Sequence, residues 1–168
     1  MFHKRDMVLT IDSYAAYLVE PQACIKVAGY FKLTSNKKPS KNLNGAILIK
    51  CKMIYHVFAS SAKAKTSGIV HNAQIAIPLI YIFTQMRHPY TATLIKTDNT
   101  TDNSFVHENI TQKNPKSWGM RLYWSRNKKN YNFGIYWVAG HNNLSDYYKK
   151  HHKVKHNKDT KKNMHKTN

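Results

Sequence analysis

At 168 residues the chain has the length of one domain, and a hydrophobic share of 42% can supply its core. Its net charge of +19, from 27 Lys and Arg against 8 Asp and Glu, points to a polyanionic partner, nucleic acid first and an acidic membrane surface second. The longest unbroken apolar run, Ile75–Phe83, is far short of a bilayer span, no apolar signal core follows Met1–Asp6, and Cys24 and Cys51 lack CxxC or metal-type spacing. The expectation is a soluble intracellular protein with no membrane partner and with reduced, buried cysteines.

The first strand is expected at Val8–Ile11 and the second at Cys24–Leu33, which carries Val27, Tyr30 and Phe31. Residues Ser35–Asn44, rich in Ser, Asn, Lys and Pro, read as a hairpin loop. A third strand follows at Gly45–Tyr55, with Ile47, Ile49, Cys51 and Met53 on one face and Leu48, Lys50 and Lys52 on the other. Three such runs at close spacing imply an antiparallel meander. A long helix then starts near Ser60 or Ser61, either of which can cap it, and its Ile69, Ala73, Ile77 and Ile80 fall on one face. Pro78 is expected to kink or divide this helix.

The fourth strand is expected at Thr91–Asp98 and a short helix at Thr101–Asn109. Asn114-Pro115 reads as a cap followed by Pro at the first helical position, opening a helix that runs to about Lys129. That helix turns Trp118, Leu122 and Tyr123 inward and leaves Arg121 and Arg126 available outward. A fifth strand at Asn132–Ala139 and a closing helix at Leu144–Lys150 complete the order. Trp118, Trp124 and Trp137 are expected in the core, since aromatics within regular elements usually pack there. From residue 153 the chain is nearly all Lys, His, Asn and Thr, and it reads as a disordered basic tail.

In so acid-poor a chain, Asp98 at a strand end and Asp146 at a helix start stand out. Two carboxylates on separate elements beside a sheet can hold a divalent metal, and an Asp in either place can equally be a cap. The residues alone leave both readings open. Basic side chains placed to meet phosphates are Lys113, Lys116, Arg121 and Arg126 on or beside one helix, and Lys149 and Lys150 at the start of the tail.

Several segments, taken in order, carry a resemblance. They are Tyr14-Ala15-Ala16-Tyr17-Leu18-Val19-Glu20-Pro21, Ala28-Gly29-Tyr30-Phe31, Leu43-Asn44-Gly45-Ala46-Ile47 and Thr97-Asp98-Asn99. Met120-Arg121-Leu122-Tyr123-Trp124, Tyr136-Trp137-Val138-Ala139-Gly140 and the stretch from Asn143-Leu144-Ser145-Asp146 to His152 continue the series. Together they resemble the ribonuclease H domain at the C-terminal end of copia-type retrotransposon polyproteins. The resemblance covers residues 7–152, leaving 1–6 as an N-terminal extension and 153–168 as the tail. It implies an α/β, ribonuclease H-like fold: a five-stranded mixed sheet, three antiparallel strands first, flanked by helices.

The family implied cleaves the RNA strand of RNA–DNA hybrids with two divalent ions, Mg²⁺ or Mn²⁺, held by four carboxylates. Two metals stabilise the attacking and leaving oxygens of an in-line displacement. By the resemblance, Asp98 and Asp146 match two of these metal ligands. The first-strand Asp falls at Tyr14, with Asp12 two residues away as a substitute on the same face. The helix Glu falls at Lys65 within Ala62-Lys63-Ala64-Lys65.

An ammonium in place of a carboxylate removes a ligand and repels the metal. At about 4 Å and an effective dielectric near 20, each pair of unit charges is worth roughly 4 kcal/mol, against about 1.4 kcal/mol for a tenfold change in affinity. Lys65 is therefore expected to pair with Asp98 where a metal stood, or to swing into solvent. Three readings stay open: an impaired retrotransposon ribonuclease H, a non-catalytic basic nucleic-acid-binding module, and a decayed transposon remnant.

Overall fold

The computed structural model describes residues 7–17, 24–35, 42–55, 58–88, 93–99 and 133–139. Five strands and one helix follow in the order β1 (Met7–Ala16), β2 (Ile25–Ser35), β3 (Asn42–Ile54), α1 (Ser61–Gln85), β4 (Thr93–Thr97) and β5 (Phe133–Trp137). The strands form one mixed sheet ordered β3-β2-β1-β4-β5. β1 pairs antiparallel with β2, and β2 with β3; β4 runs parallel to β1, and β5 to β4. Three antiparallel strands first and a mixed sheet of five are as the sequence implied. The helices expected at 101–109, 114–129 and 144–150, and the tail, lie outside the described residues.

β1 extends well past the expected Val8–Ile11 because its polar residues find partners at the centre of the sheet. Thr10 and Thr34 share a hydrogen bond of 2.6 Å between hydroxyls, and Ser13 Oγ accepts from Asn72 Nδ2 at 2.8 Å. Buried polar groups satisfied in this way cost the strand little. Alternation sends Leu9, Ile11, Ser13 and Ala15 toward α1, and Thr10, Asp12 and Tyr14 to the opposite face. Leu9 and Ile11 join Phe31, Ile95 and Ile135 under Ile69, Ala73, Ala76 and Ile80 of the helix. Burying each large side chain contributes roughly 1.5–3 kcal/mol. A second cluster, Ala15, Ile25, Val27, Phe58 and Ala64, seats the N-terminal half of α1.

Ser60 caps α1, its side chain accepting from the Lys63 amide at 3.3 Å. Pro78 does not divide the helix, which is continuous across it. Both Pro78 and Gln74 lie on the exposed side, so the Gln74 carbonyl that loses its amide donor can turn to water. This helix is long and apolar enough to cross a membrane, although the longest unbroken apolar run in the sequence is short. Its buried residues are those that pack on the sheet, as expected of a core helix.

The two faces of β3 are those the period implies, and it is the face of Leu48, Lys50 and Lys52 that turns inward: Leu48 and Ile54 pack on the core, while Ile47 and Ile49 are 45% and 41% exposed. Cys24 is buried but Cys51 is exposed, contrary to the expectation that both are buried. The cause is position, since β3 ends the described sheet on one side. β5 ends it on the other, and there Trp137, expected in the core, is 49% exposed.

Candidate functional site

β1 and β4 are parallel neighbours, and the chain leaves one for β2 and enters the other from α1. Crevices at the carboxyl ends of such strands are where open α/β sheets place their ligands. β4 ends at Thr97, and Asp98 and Asn99 form a fixed turn beyond it. The Asn99 amide donates to Thr97 Oγ1 at 3.2 Å, and the Asn99 side chain reaches the Ala62 carbonyl of α1 at 3.5 Å. The Val138 amide donates to the Thr97 carbonyl at 2.8 Å and closes the β5 side.

This turn brings Asp98 to the first turns of α1. Lys65 Nζ donates to Asp98 Oδ2 at 3.0 Å, both side chains being largely shielded from water. The other carboxylate oxygen, Oδ1, is buried and has no hydrogen-bond partner among the described residues. Of the alternatives for Lys65, the structure shows the ion pair.

Asp12 does not join Asp98. It lies on the sheet face turned away from α1, buried, with Lys32 Nζ donating to its Oδ2 at 2.8 Å. Lys32 stands opposite Thr10, so this is a diagonal cross-strand pair. Lys96 faces Asp12 in the parallel register. Burial pushes the pKa of Lys96 down; Asp12 draws it up and Lys32 pushes it down further. Lys32 also sits over the Tyr30 ring, 5.5 Å from its centroid. Tyr14 shares the Asp12 face, half-buried, in a strand whose register with β2 is unbroken. Asp146, Lys113, Lys116, Arg121, Arg126, Lys149 and Lys150 lie outside the described residues.

The residues present do not fit a divalent metal among those described. No three His, Cys, Asp or Glu side chains gather there. Both described acids already hold a lysine ammonium, and a cation at Asp98 would meet the charge of Lys65. Sequence reasoning missed Lys32, Asn72 and Asn99 as the groups that hold these polar sites. The pairing of Lys32 with Asp12 needs the β1–β2 register, which the sequence does not display. Asn72 shows only as a polar residue at a buried helical spacing.

No protein-family model matches the chain, and no curated protein matches it. Solved structures do. The chain is similar to the N-terminal RNase H domain of a Mycobacterium tuberculosis protein, solved as a fusion with maltose-binding protein, with a TM-score of 0.55 and 12% identity over 82% of this chain and 86% of that one. RNase H1 of the halophilic archaeon Halobacterium salinarum gives a TM-score of 0.55 and 11% identity over 83% and 89%. LC11-RNase H1, solved in complex with an RNA/DNA hybrid, gives 0.54 and 8% over 84% and 91%. The chain therefore has the ribonuclease H fold, and at these identities the likeness is one of fold.

Proposed function

We propose that this chain is a retrotransposon-derived, copia-type ribonuclease H-like domain that binds nucleic acid inside the cell and whose metal-dependent hybrid cleavage is impaired. One observation carries the reading: on a ribonuclease H fold, the ammonium of Lys65 lies 3.0 Å from Asp98, the acid at the end of β4. Catalysis by two metals needs several anionic oxygens held together. Lys65 neutralises one of them, and Tyr14 brings a phenol where the resemblance has a carboxylate. When bound, divalent ions would supply the activated water and the stabilised leaving oxygen. What this chain's own residues do is different: Lys65 holds Asp98 in place, and Lys32 holds Asp12 away from it. Positive charge is retained, and binding of polyanions needs no metal.

The test is a hybrid-cleavage and binding assay in Mg²⁺ and in Mn²⁺. The expected result is binding without cleavage by the natural chain, with metal affinity raised in the variant K65E, which puts a carboxylate beside Asp98 in place of the ammonium. Turnover by the unaltered chain that Asp98→Asn abolishes would overturn the assignment of impairment. Absence of binding to RNA, DNA and hybrid at low salt would favour the remnant reading.

A further inference from the structure

β3 ends the described sheet, and among the described residues no strand pairs with its outer edge. From Leu48 to Ile54 its register with Phe31 to Ile25 of β2 is unbroken, so the edge is regular over this stretch. In an antiparallel pair alternate residues turn their amide and carbonyl away from the partner strand, and on β3 those groups lie along the outer edge. Ile49, Lys50, Cys51 and Lys52 are all exposed, so neither face of the stretch is covered. The two faces differ in kind. Lys50 and Lys52 lie on the α1 side, with Leu48 and Ile54. Ile49 and Met53 lie on the other side, opposite Tyr30 and Lys26 of β2, and by alternation the 79% exposed Tyr55 continues it. Among the described residues no acid neutralises Lys50 or Lys52: Asp12 is on the opposite face with Lys32, and Asp98 is beyond β4 with Lys65.

A strand added at this edge meets main-chain donors and acceptors, two cations on one face and apolar side chains on the other. Edge addition takes its affinity from the main chain and its specificity from alternate side chains. We propose that the outer edge of β3 takes an extended peptide that alternates acidic and apolar residues, its carboxylates beside Lys50 and Lys52 and its apolar side chains beside Ile49 and Met53. A second copy of this chain fits poorly, because pairing two such edges antiparallel about Cys51 sets lysine against lysine, and like charges directly opposite destabilise a sheet. The proposal stands apart from the nucleic-acid binding argued above. Lysines on an edge strand also guard against edge-to-edge pairing of sheets. As their only role, that guard predicts that the natural chain binds no such peptide.

The experiment is fluorescence anisotropy on the full chain with a labelled peptide of about nine residues alternating Glu and Val, within the usual length of a strand. A scrambled peptide of the same composition keeps the charge and loses the alternation. Two further peptides carry N-methyl groups on one or the other set of alternate residues. The natural chain should bind the alternating peptide saturably, and the scrambled one on the order of tenfold more weakly. One N-methylated peptide should lose binding and the other keep it, because only one edge of an added strand faces β3. K50Q/K52Q should weaken the alternating peptide on the order of fivefold. R87Q, a charge control on an exposed residue beyond α1, should leave it unchanged. Circular dichroism checks that the variants keep the fold. The N-methyl comparison uses the natural chain alone, so it stays decisive even where the lysine variant aggregates. Absence of saturable binding would overturn the proposal, as would equal binding of the scrambled peptide, equal effects of the two N-methyl patterns, or wild-type affinity in a folded K50Q/K52Q. Dimers of the peptide-free chain that form through this edge in sedimentation would replace the peptide by a second copy. Oligothymidylate binding that K50Q/K52Q weakens, with peptide binding intact, would replace it by nucleic acid.

Discussion

An ammonium 3.0 Å from a carboxylate, both screened from water, leaves a charge stranded if either partner is removed. Lys65→Met should therefore destabilise the fold by about 1–3 kcal/mol, the cost of leaving a buried polar group without its partner. Asp98 would then have neither oxygen bonded among the described residues, since Oδ1 already lacks a partner. The double variant K65M/D98N should recover part of that loss, because it removes the stranded charge. Denaturant unfolding of the two single variants and the double gives the coupling, and strict additivity would show that the pair does not act as a unit. His71 allows a second prediction. Burial first, and Lys52 second, hold its pKa below the ordinary value of 6.5. As the pH falls through 6.5 the unfolded chain takes up this proton before the folded one does, so folding stability drops with acid in that window. The penalty is complete below the folded pKa and absent well above 6.5. His71→Gln should flatten this segment of the stability–pH curve relative to the natural chain, and unchanged curvature would remove His71 as its source.

At the scale of elements, the seam between α1 and the β1–β2 hairpin depends on one amide. Asn72 Nδ2 donates to Ser13 Oγ at 2.8 Å and to the Ala28 carbonyl at 3.0 Å, tying the helix to two strands within a buried interface. The fit requires a missing side chain opposite: a Cβ on Gly29 would press on Asn72 Oδ1 and come within 2.8 Å of the Phe31 ring. Gly29→Ala should thus force the helix outward or displace the amide. A loss of about 1–3 kcal/mol, as for overpacked cores, is expected in thermal or denaturant unfolding. In G29A/N72A the added methyl meets space rather than an amide, so the double variant should lose less than the sum of the two singles. This seam was not legible in the sequence. Alternation and turn composition reveal that β2 and β3 exist, and the Ile69–Ile80 stripe reveals α1. Those signals are local, whereas the meeting of Gly29 with Asn72, or of Asp12 with Lys32, is set by register and helix placement. The same limit explains β3, whose period is plain but whose inward face depends on its lying at the edge. The turn at Asp98 was legible as a strand end, and its union with Lys65 was visible only through the fold the segments resemble.

For the whole molecule, the distribution of charge determines how it meets a polyanion. The described sheet and helix pair both of their acids with lysines, so they add no negative patch to offset the net charge of +19. Positive charge is dense from Lys149 onward, where eight lysines occur by Lys166. Lysines on a chain without a packed core can follow phosphates but carry no fixed geometry for reading bases. Binding through them should be insensitive to sequence and should weaken steeply with salt, with a slope near −0.9 per duplex phosphate contacted. Truncation after His152 removes Lys153, Lys155, Lys158, Lys161, Lys162 and Lys166. It should make the hybrid-binding slope shallower while leaving the unfolding midpoint close to that of the full chain, because a segment this poor in apolar residues buries little. Gel-shift titrations across salt, run on the full and shortened chains with random and fixed sequences, measure the tail's contribution. A slope unchanged by truncation would move the polyanion contacts from the tail to the folded domain. A slope that vanishes would leave the domain with no phosphate contacts of its own.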